Sequence, residues 1–284
     1  MPSLHQGGHG VTANLRTGSG KTELGITYLS GCVRPEALSK RPDFGVLFSP
    51  YMGNSPDGLG IFGLDNGVFG EFNSQGAKPF SQPKFEKLMA KWQPLADQAL
   101  FAVAPDVIAP WQAELAGLDA RAPWAATIER SAPFLPLIRD YGYPAAFVAQ
   151  DGLEQHLAKI PWSAFDVLFL GGGQAEKYLS PTNRVWSPRL QRWVGEWKLT
   201  PGARRLVDLA KAKGKRVHMG RVNSFKRISI AAEWGCDSAD GTCIGRHPKG
   251  PDFATAEVVS WLDRLNTGSG KTEAAIFGKG VHTS

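Results

Sequence analysis

The sequence predicts an α/β protein folded as a (β/α)8 TIM-like barrel in a single domain, and three observations carry that prediction. Eight short apolar runs are spread over roughly 240 residues, as eight barrel strands would be. Most of these runs are continuous rather than alternating, as expected for parallel strands covered on both faces. Segments of helical character lie between them. A doubly wound open sheet is the alternative arrangement of the same units.

The strand candidates, in order, are ELGITYL (23–29), FGVLFSPYM (44–52), GIFGLDNGVF (60–69), ALFAVAPDV (99–107), AAFVAQDG (145–152), FDVLFLGGG (165–173), RVHMGRV (216–222) and CDSADGT (236–242). Helix candidates are FEKLMAKWQPLADQ, WQAELAGLDARAPW, ARRLVDLAKAKG and SFKRISIAAEWG, the last two ending on glycine, a common helix stop. FATAEVVSWLDRL would close the domain. The expected layout is a flexible flank over 1–22, the barrel over 23–266 and a flexible tail over 267–284.

A chain of 284 residues that is 42% hydrophobic can bury a sizeable core. No window reaches the ~18 apolar residues of a membrane span, and MPSLHQGGHG lacks the apolar stretch of a secretory signal, so a cytoplasmic location is expected. Cys32, Cys236 and Cys243 are few and odd in number, which suits a reducing compartment; they lack Cys-x-x-Cys spacing, and no metal is expected.

The heptapeptide TGSGKTE occurs at 17–23 and again at 267–273 and has the look of a phosphate-binding loop. The pattern Gly-x-x-x-x-Gly-Lys-Ser/Thr fails in both copies, because Leu15 and Leu265 stand where its first glycine belongs. No strand-like run precedes the first copy, and only eleven residues follow the second. The expectation is a pair of glycine-rich flanks, with Lys21 and Lys271 at most touching phosphates.

Charge is unevenly divided, with a net of −1 over 1–142 and +7 over 143–284. Between Arg184 and Arg227 stand thirteen basic residues and two acids, interleaved with Trp186, Trp193 and Trp197. Such a stripe neutralises phosphates and offers rings for base stacking, and it is equally the pattern of a solvated helix face over core tryptophans.

Barrel enzymes hold their chemistry at the C-terminal ends of the strands. Here those ends carry Asp65, Asp106, Gln150, Gly171 to Gly173, Met219 with Gly220, and Asp237 with Asp240. Singly, each also reads as a turn or cap residue; together, they form a polar rim.

LDNGVFGEF, APDVIA, FVAQDG, FLGGG, VHMGRVN and GCDSADGTCIGR, in this order, resemble the strand-end motifs of the tRNA-guanine transglycosylases. The likeness is closer to their phage and bacterial relatives, which insert 7-deazaguanines into DNA, and it spans roughly residues 23–247. It implies an enzyme, a pentosyltransferase, that replaces guanine in a polynucleotide by a 7-deazaguanine such as the 7-cyano form. In the family pattern FDCVxPTR the aspartate is the nucleophile, and Asp240 takes that place with Arg246 six residues on. Asp65 in DNGVF matches the general acid/base of DSGG(Y/F)Q. By the same resemblance Asp106 and Gln150 would read the base edge, Phe69 and Met219 would sandwich it, and Gly171, Gly172, Gly173 and Gly220 would let backbone approach it. Phe69 and Met219 also suit a core.

The sequence departs from the pattern at Asn66-Gly67-Val68, where the family has paired glycines, and lacks the zinc-binding Cys-x-Cys-x-x-Cys…His element that engages tRNA. DNA is therefore the expected partner and tRNA the second choice, with Arg184, Arg189, Arg192, Arg204, Arg205 and Arg246 as the expected phosphate contacts. Exchange of one N-glycosidic bond for another needs no ATP, and no cofactor is expected. A non-catalytic nucleic-acid-binding barrel and a nucleoside or glycoside hydrolase are the alternatives.

Overall fold

The structure, a computed structural model, describes residues 25–31, 35–51, 60–120, 122–171 and 196–266, together with the backbone of 185–187 and 192–194. The TGSGKTE copies and both flanks lie outside the described residues.

Eight parallel strands close into a barrel, in the order β1 (Thr27–Ser30), β2 (Phe44–Phe48), β3 (Ile61–Leu64), β4 (Ala99–Val103), β5 (Ala145–Ala149), β6 (Val167–Leu170), β9 (Arg216–Met219) and β10 (Ser238–Gly241). Each coincides with one of the eight apolar runs, β1 extending one residue past its own. Closure is made by β1 and β10, with Leu29 opposite Asp240 and Ser30 opposite Gly241. Between β6 and β9 the chain forms a separate antiparallel pair, β7 (Val185–Ser187) and β8 (Arg192–Val194), inside the basic stripe, where the sequence predicts no strand.

Alternation along each strand divides the core into two layers. Leu29, Leu47, Phe101, Val103, Ala146, Val148, Val167 and Phe169 pack inside the barrel. Gly63 on β3 makes room for them, since a Cβ there would sit about 3 Å from Phe101, Leu29 and Leu47. Tyr28, Phe48, Phe62, Phe147, Leu168, Val217 and Met219 face outward and pack against the helices.

Three expected elements are redrawn. The run 60–69 stops being strand at Leu64; Gly67 turns left-handed at φ +82° and starts the helix α1 (Val68–Asn73). The segment FEKLMAKWQPLADQ becomes α2 (Gln82–Trp92) followed by a 3-10 stretch over Gln93–Gln98, because Pro94 cannot continue the α-helical bonding. The segment 111–124 is not one helix: α3 (Pro110–Leu115) ends near Gly117 at φ +71°, and α4 (Pro123–Ser131) starts afresh on a proline. Helix α5 (Phe134–Asp140), which the sequence reading does not predict, completes this stretch.

Helices α6 (Pro201–Ala212), α7 (Phe225–Glu233) and α9 (Pro251–Asn266) coincide with predicted segments, and the short turn α8 (Cys243–Arg246) precedes the last. Thr200 and Ser224 cap α6 and α7 by accepting from the backbone N–H of Ala203 and Arg227. Gly214 and Gly235, at φ +69° and +80°, supply the left-handed turn that ends each. The links after β1 and β5 carry 3-10 turns instead of α-helices, so helix and strand do not alternate uniformly. Among the described residues, no helix is long and apolar enough to cross a membrane.

Candidate active site

A cavity of about 370 Å³ opens at the C-terminal ends of the strands. Its wall includes Asp65, Phe69, Asp106, Gln150, Gly171, Gly220, Asp240 and Arg246, so eight of the side chains and glycines singled out in the sequence meet at one mouth. Met219 is not among them. It is fully buried in the outer layer against the helices. Asp237 precedes β10, at the far end of the strand from the cavity, and is bound there by Lys211 at 2.9 Å. Arg204 and Arg205 are exposed on α6 and do not line the cavity. Arg204 faces Glu233 at 3.7 Å and lies over Trp234. Gly172, Gly173, Arg184 and Arg189 lie outside the described residues, and Arg192 contributes backbone to β8.

Asp106, just beyond β4, is buried and tied on both oxygens: Asn66 Nδ2 donates to Oδ1 at 3.1 Å and Gln150 Nε2 donates to Oδ2 at 2.5 Å. Burial pushes its carboxyl up to about 6 against the pull of Asn66 and Arg130. Asn66, the departure from the glycine pair, thus has a structural task. Its Nδ2 also donates to the Ala104 carbonyl at 2.9 Å, and its Oδ1 accepts from Val68 N at 2.8 Å at the start of α1.

Behind Asp106 lies a buried ionic knot invisible to the sequence reading. Arg130 on α4 donates to the Asp106 carbonyl at 2.8 Å and to Glu71 on α1 at 3.1 Å. Glu71, only 1% exposed, also accepts from Gln112 Nε2 and Phe80 N. Loss of Arg130 would strand a buried carboxylate, at a cost of about 3–5 kcal/mol.

Asp65 is half-buried, and its Oδ2 accepts from Gly67 N at 3.2 Å. Burial, then the neighbouring charges of Asp106 and Asp240, raise its carboxyl to about 7. At neutral pH it can therefore give or take a proton.

Asp240 is held differently. Its Oδ1 meets His218 Nε2 at 3.0 Å and accepts from Arg221 N at 3.2 Å. His218 has no exposed surface; its ring packs between Phe101 and Phe169, and its Nδ1 lies 2.8 Å from Ser238 Oγ. After Asp240 comes Gly241, where any Cβ would collide with Tyr28 Oη, the Val222 carbonyl and Asn223 Oδ1. Asn223 Oδ1 in turn accepts from Thr242 N at 2.7 Å. The nucleophile candidate is thus seated on a rigid floor.

Arg221 stands at φ +58°, a left-handed backbone unusual for a side chain of its size. That turn places its backbone N–H on Asp240 and its guanidinium over the Phe69 ring, 4.3 Å from the centroid. Lys198, buried behind the cavity, donates to the Gly220 carbonyl at 2.6 Å; burial lowers its ammonium to about 8, against the attraction of Glu196 and Asp240.

His218, Arg221, Glu71, Arg130 and Lys198 are not among the site residues that the sequence reading names. His218 and Arg221 flank Met219 and Gly220 within VHMGRVN; alternation in β9 sets His218 and Met219 on opposite faces without marking which face is inward. Among the described residues, no group of three or more His, Cys, Asp or Glu side chains is placed to hold a metal ion. No protein-family model matches the chain, and no curated protein matches it.

Proposed function

We propose that this barrel is a base-exchange transglycosylase that replaces guanine in DNA by a 7-deazaguanine such as 7-cyano-7-deazaguanine. The observation that carries the reading is the meeting of three aspartates from β3, β4 and β10 ends at one cavity, each in a different electrostatic setting. The motif resemblance supplies the reaction class.

Asp240 attacks C1′ of the deoxyribose, the bond from C1′ to N9 breaks, and the departing guanine takes a proton from Asp65. The incoming base gives its N9 proton to Asp65, and N9 attacks C1′ to release the Asp240 carboxylate. A carboxylate suits the first role because it forms a glycosyl ester and leaves again; a carboxyl near neutrality suits the second. Asp106, with Gln150 beside it, reads the N1–H and amino edge of a guanine-like base. Phe69 offers that base an aromatic face.

Nucleoside mass spectrometry after incubation with DNA and 7-cyano-7-deazaguanine tests the proposal. Modified deoxynucleoside is expected from the wild-type chain and none from Asp240→Asn, with DNA affinity changed only a few-fold. Exchange on tRNA in preference to DNA would redirect the substrate; exchange retained by Asp240→Asn would remove that residue from the mechanism.

A further inference from the structure

Only one oxygen of Asp240 is engaged among the described residues. Oδ1 has two partners, His218 Nε2 at 3.0 Å and Arg221 N at 3.2 Å, whereas the carboxylate itself forms part of the cavity wall. An ionised carboxylate only accepts, so Nε2 must carry the proton. Its other nitrogen is fixed by Ser238 Oγ at 2.8 Å, and the ring cannot turn between Phe101 and Phe169, 4.7 and 4.5 Å away by centroid.

From this we infer that His218 is a positioning residue for the proposed base exchange: it clamps Asp240 Oδ1 so that Oδ2 is the atom that attacks C1′. The inference rests on the proposed function. When the glycosyl ester forms through Oδ2, Oδ1 becomes the ester carbonyl oxygen and keeps both donors. When the incoming N9 displaces the sugar from Oδ2, negative charge returns to the carboxylate and both donors stabilise it as it leaves. The imidazole touches neither sugar nor base. It acts through Asp240 by fixing the χ angles of a side chain that would otherwise present either oxygen.

A buried histidine in a barrel interior is costly unless its nitrogens are satisfied, and here one partner, Ser238, precedes Asp240 by two residues on the same strand. Parallel pairing of β9 with β10 places His218 opposite Ser238 in register, so the three side chains share the inward face. That juxtaposition follows from the barrel geometry.

The test compares His218→Leu and His218→Gln with wild type in steady-state base exchange, with the covalent DNA adduct quantified on denaturing gels. His218→Leu fills the apolar slot without a donor and is expected to lower kcat about 100-fold, with KM for the base nearly unchanged. His218→Gln, which keeps an N–H near the Nε2 position, should recover most of that loss. Should His218→Leu fail to fold, Ser238→Ala reads the same clamp, since it frees Nδ1 and is expected to lower kcat several-fold at constant KM. Wild-type kcat in His218→Leu, or in Ser238→Ala where only that variant folds, would overturn the inference. So would His218→Gln as slow as His218→Leu, since the ring would then matter for packing alone. No exchange and no Asp240-dependent adduct from the wild-type chain would overturn the proposed function itself.

Discussion

Gln150 Nε2 donates to Asp106 Oδ2 across 2.5 Å, joining the ends of β5 and β4 inside the cavity. With Asn66 on Oδ1, the carboxylate is locked in plane, and each oxygen keeps one lone pair for a base edge. Asp106→Asn replaces one acceptor by a donor and is expected to raise KM for a guanine-like base about 10- to 100-fold, equivalent to roughly 1–3 kcal/mol. Gln150→Ala, which frees the carboxylate but leaves it in place, should cost less. Steady-state kinetics with the free base as the varied substrate checks both; equal KM values in wild type and Asp106→Asn would detach Asp106 from base reading.

Asp65 makes the protein sensitive to pH in a defined direction. Its folded carboxyl is raised to about 7 by burial and by Asp106 and Asp240, so the native state binds its proton more tightly than the unfolded chain does. The associated stability is fully present below about pH 4, the ordinary carboxyl range, and is lost as pH rises through 7. Asp65→Asn should therefore flatten the stability curve between these limits and be more stable than wild type at about pH 8 by up to about 4 kcal/mol. Urea denaturation across pH measures this, and an unchanged slope would contradict it. The exchange rate, if Asp65 moves the proton, should show an inflection near 7 that disappears in the same variant.

DNA phosphates are expected to bind at the mouth, on Arg221 and Arg246, and not on the outer face of α6. Both arginines line the cavity, whereas Arg204 and Arg205 do not. Alanine at Arg221 and Arg246 should reduce the slope of log affinity for DNA against log salt by about one unit for each phosphate left without its arginine. Charge reversal at Arg204 and Arg205 should leave that slope nearly as it is. Fluorescence anisotropy at several salt concentrations decides between the two faces.

Most of the barrel strands were legible because a parallel strand buried on both faces is a continuous apolar run, and such a run needs no knowledge of its neighbours to be seen; β10, with the sequence SADG, is the exception. Helices α6 and α7 were legible as helical segments ending on glycine, and α9 as the segment that closes the domain. The rim acids were legible too, since Asp65, Asp106 and Asp240 stand at or just after strand ends. Where backbone chirality intervened, the reading failed: Gly67 and Gly117, both left-handed, broke one expected strand and one expected helix at points where apolar pattern continued.

The chain by itself thus determined the barrel class, the order of its strands and most of the polar residues at their C-terminal ends, Asp237 being the one that lies at the opposite end of its strand. Which side chain of a doubly buried strand points inward was decided by tertiary structure alone, because both faces of such a strand are apolar and the pattern carries no phase. Met219 and His218 are the example: closure of β9 between β6 and β10 turned Met219 out to the helices and His218 in to Asp240. The pairing of Arg221 with Phe69 and of Arg130 with Glu71 likewise joins residues 152 and 59 positions apart, a proximity that only the closed barrel with its packed helices creates.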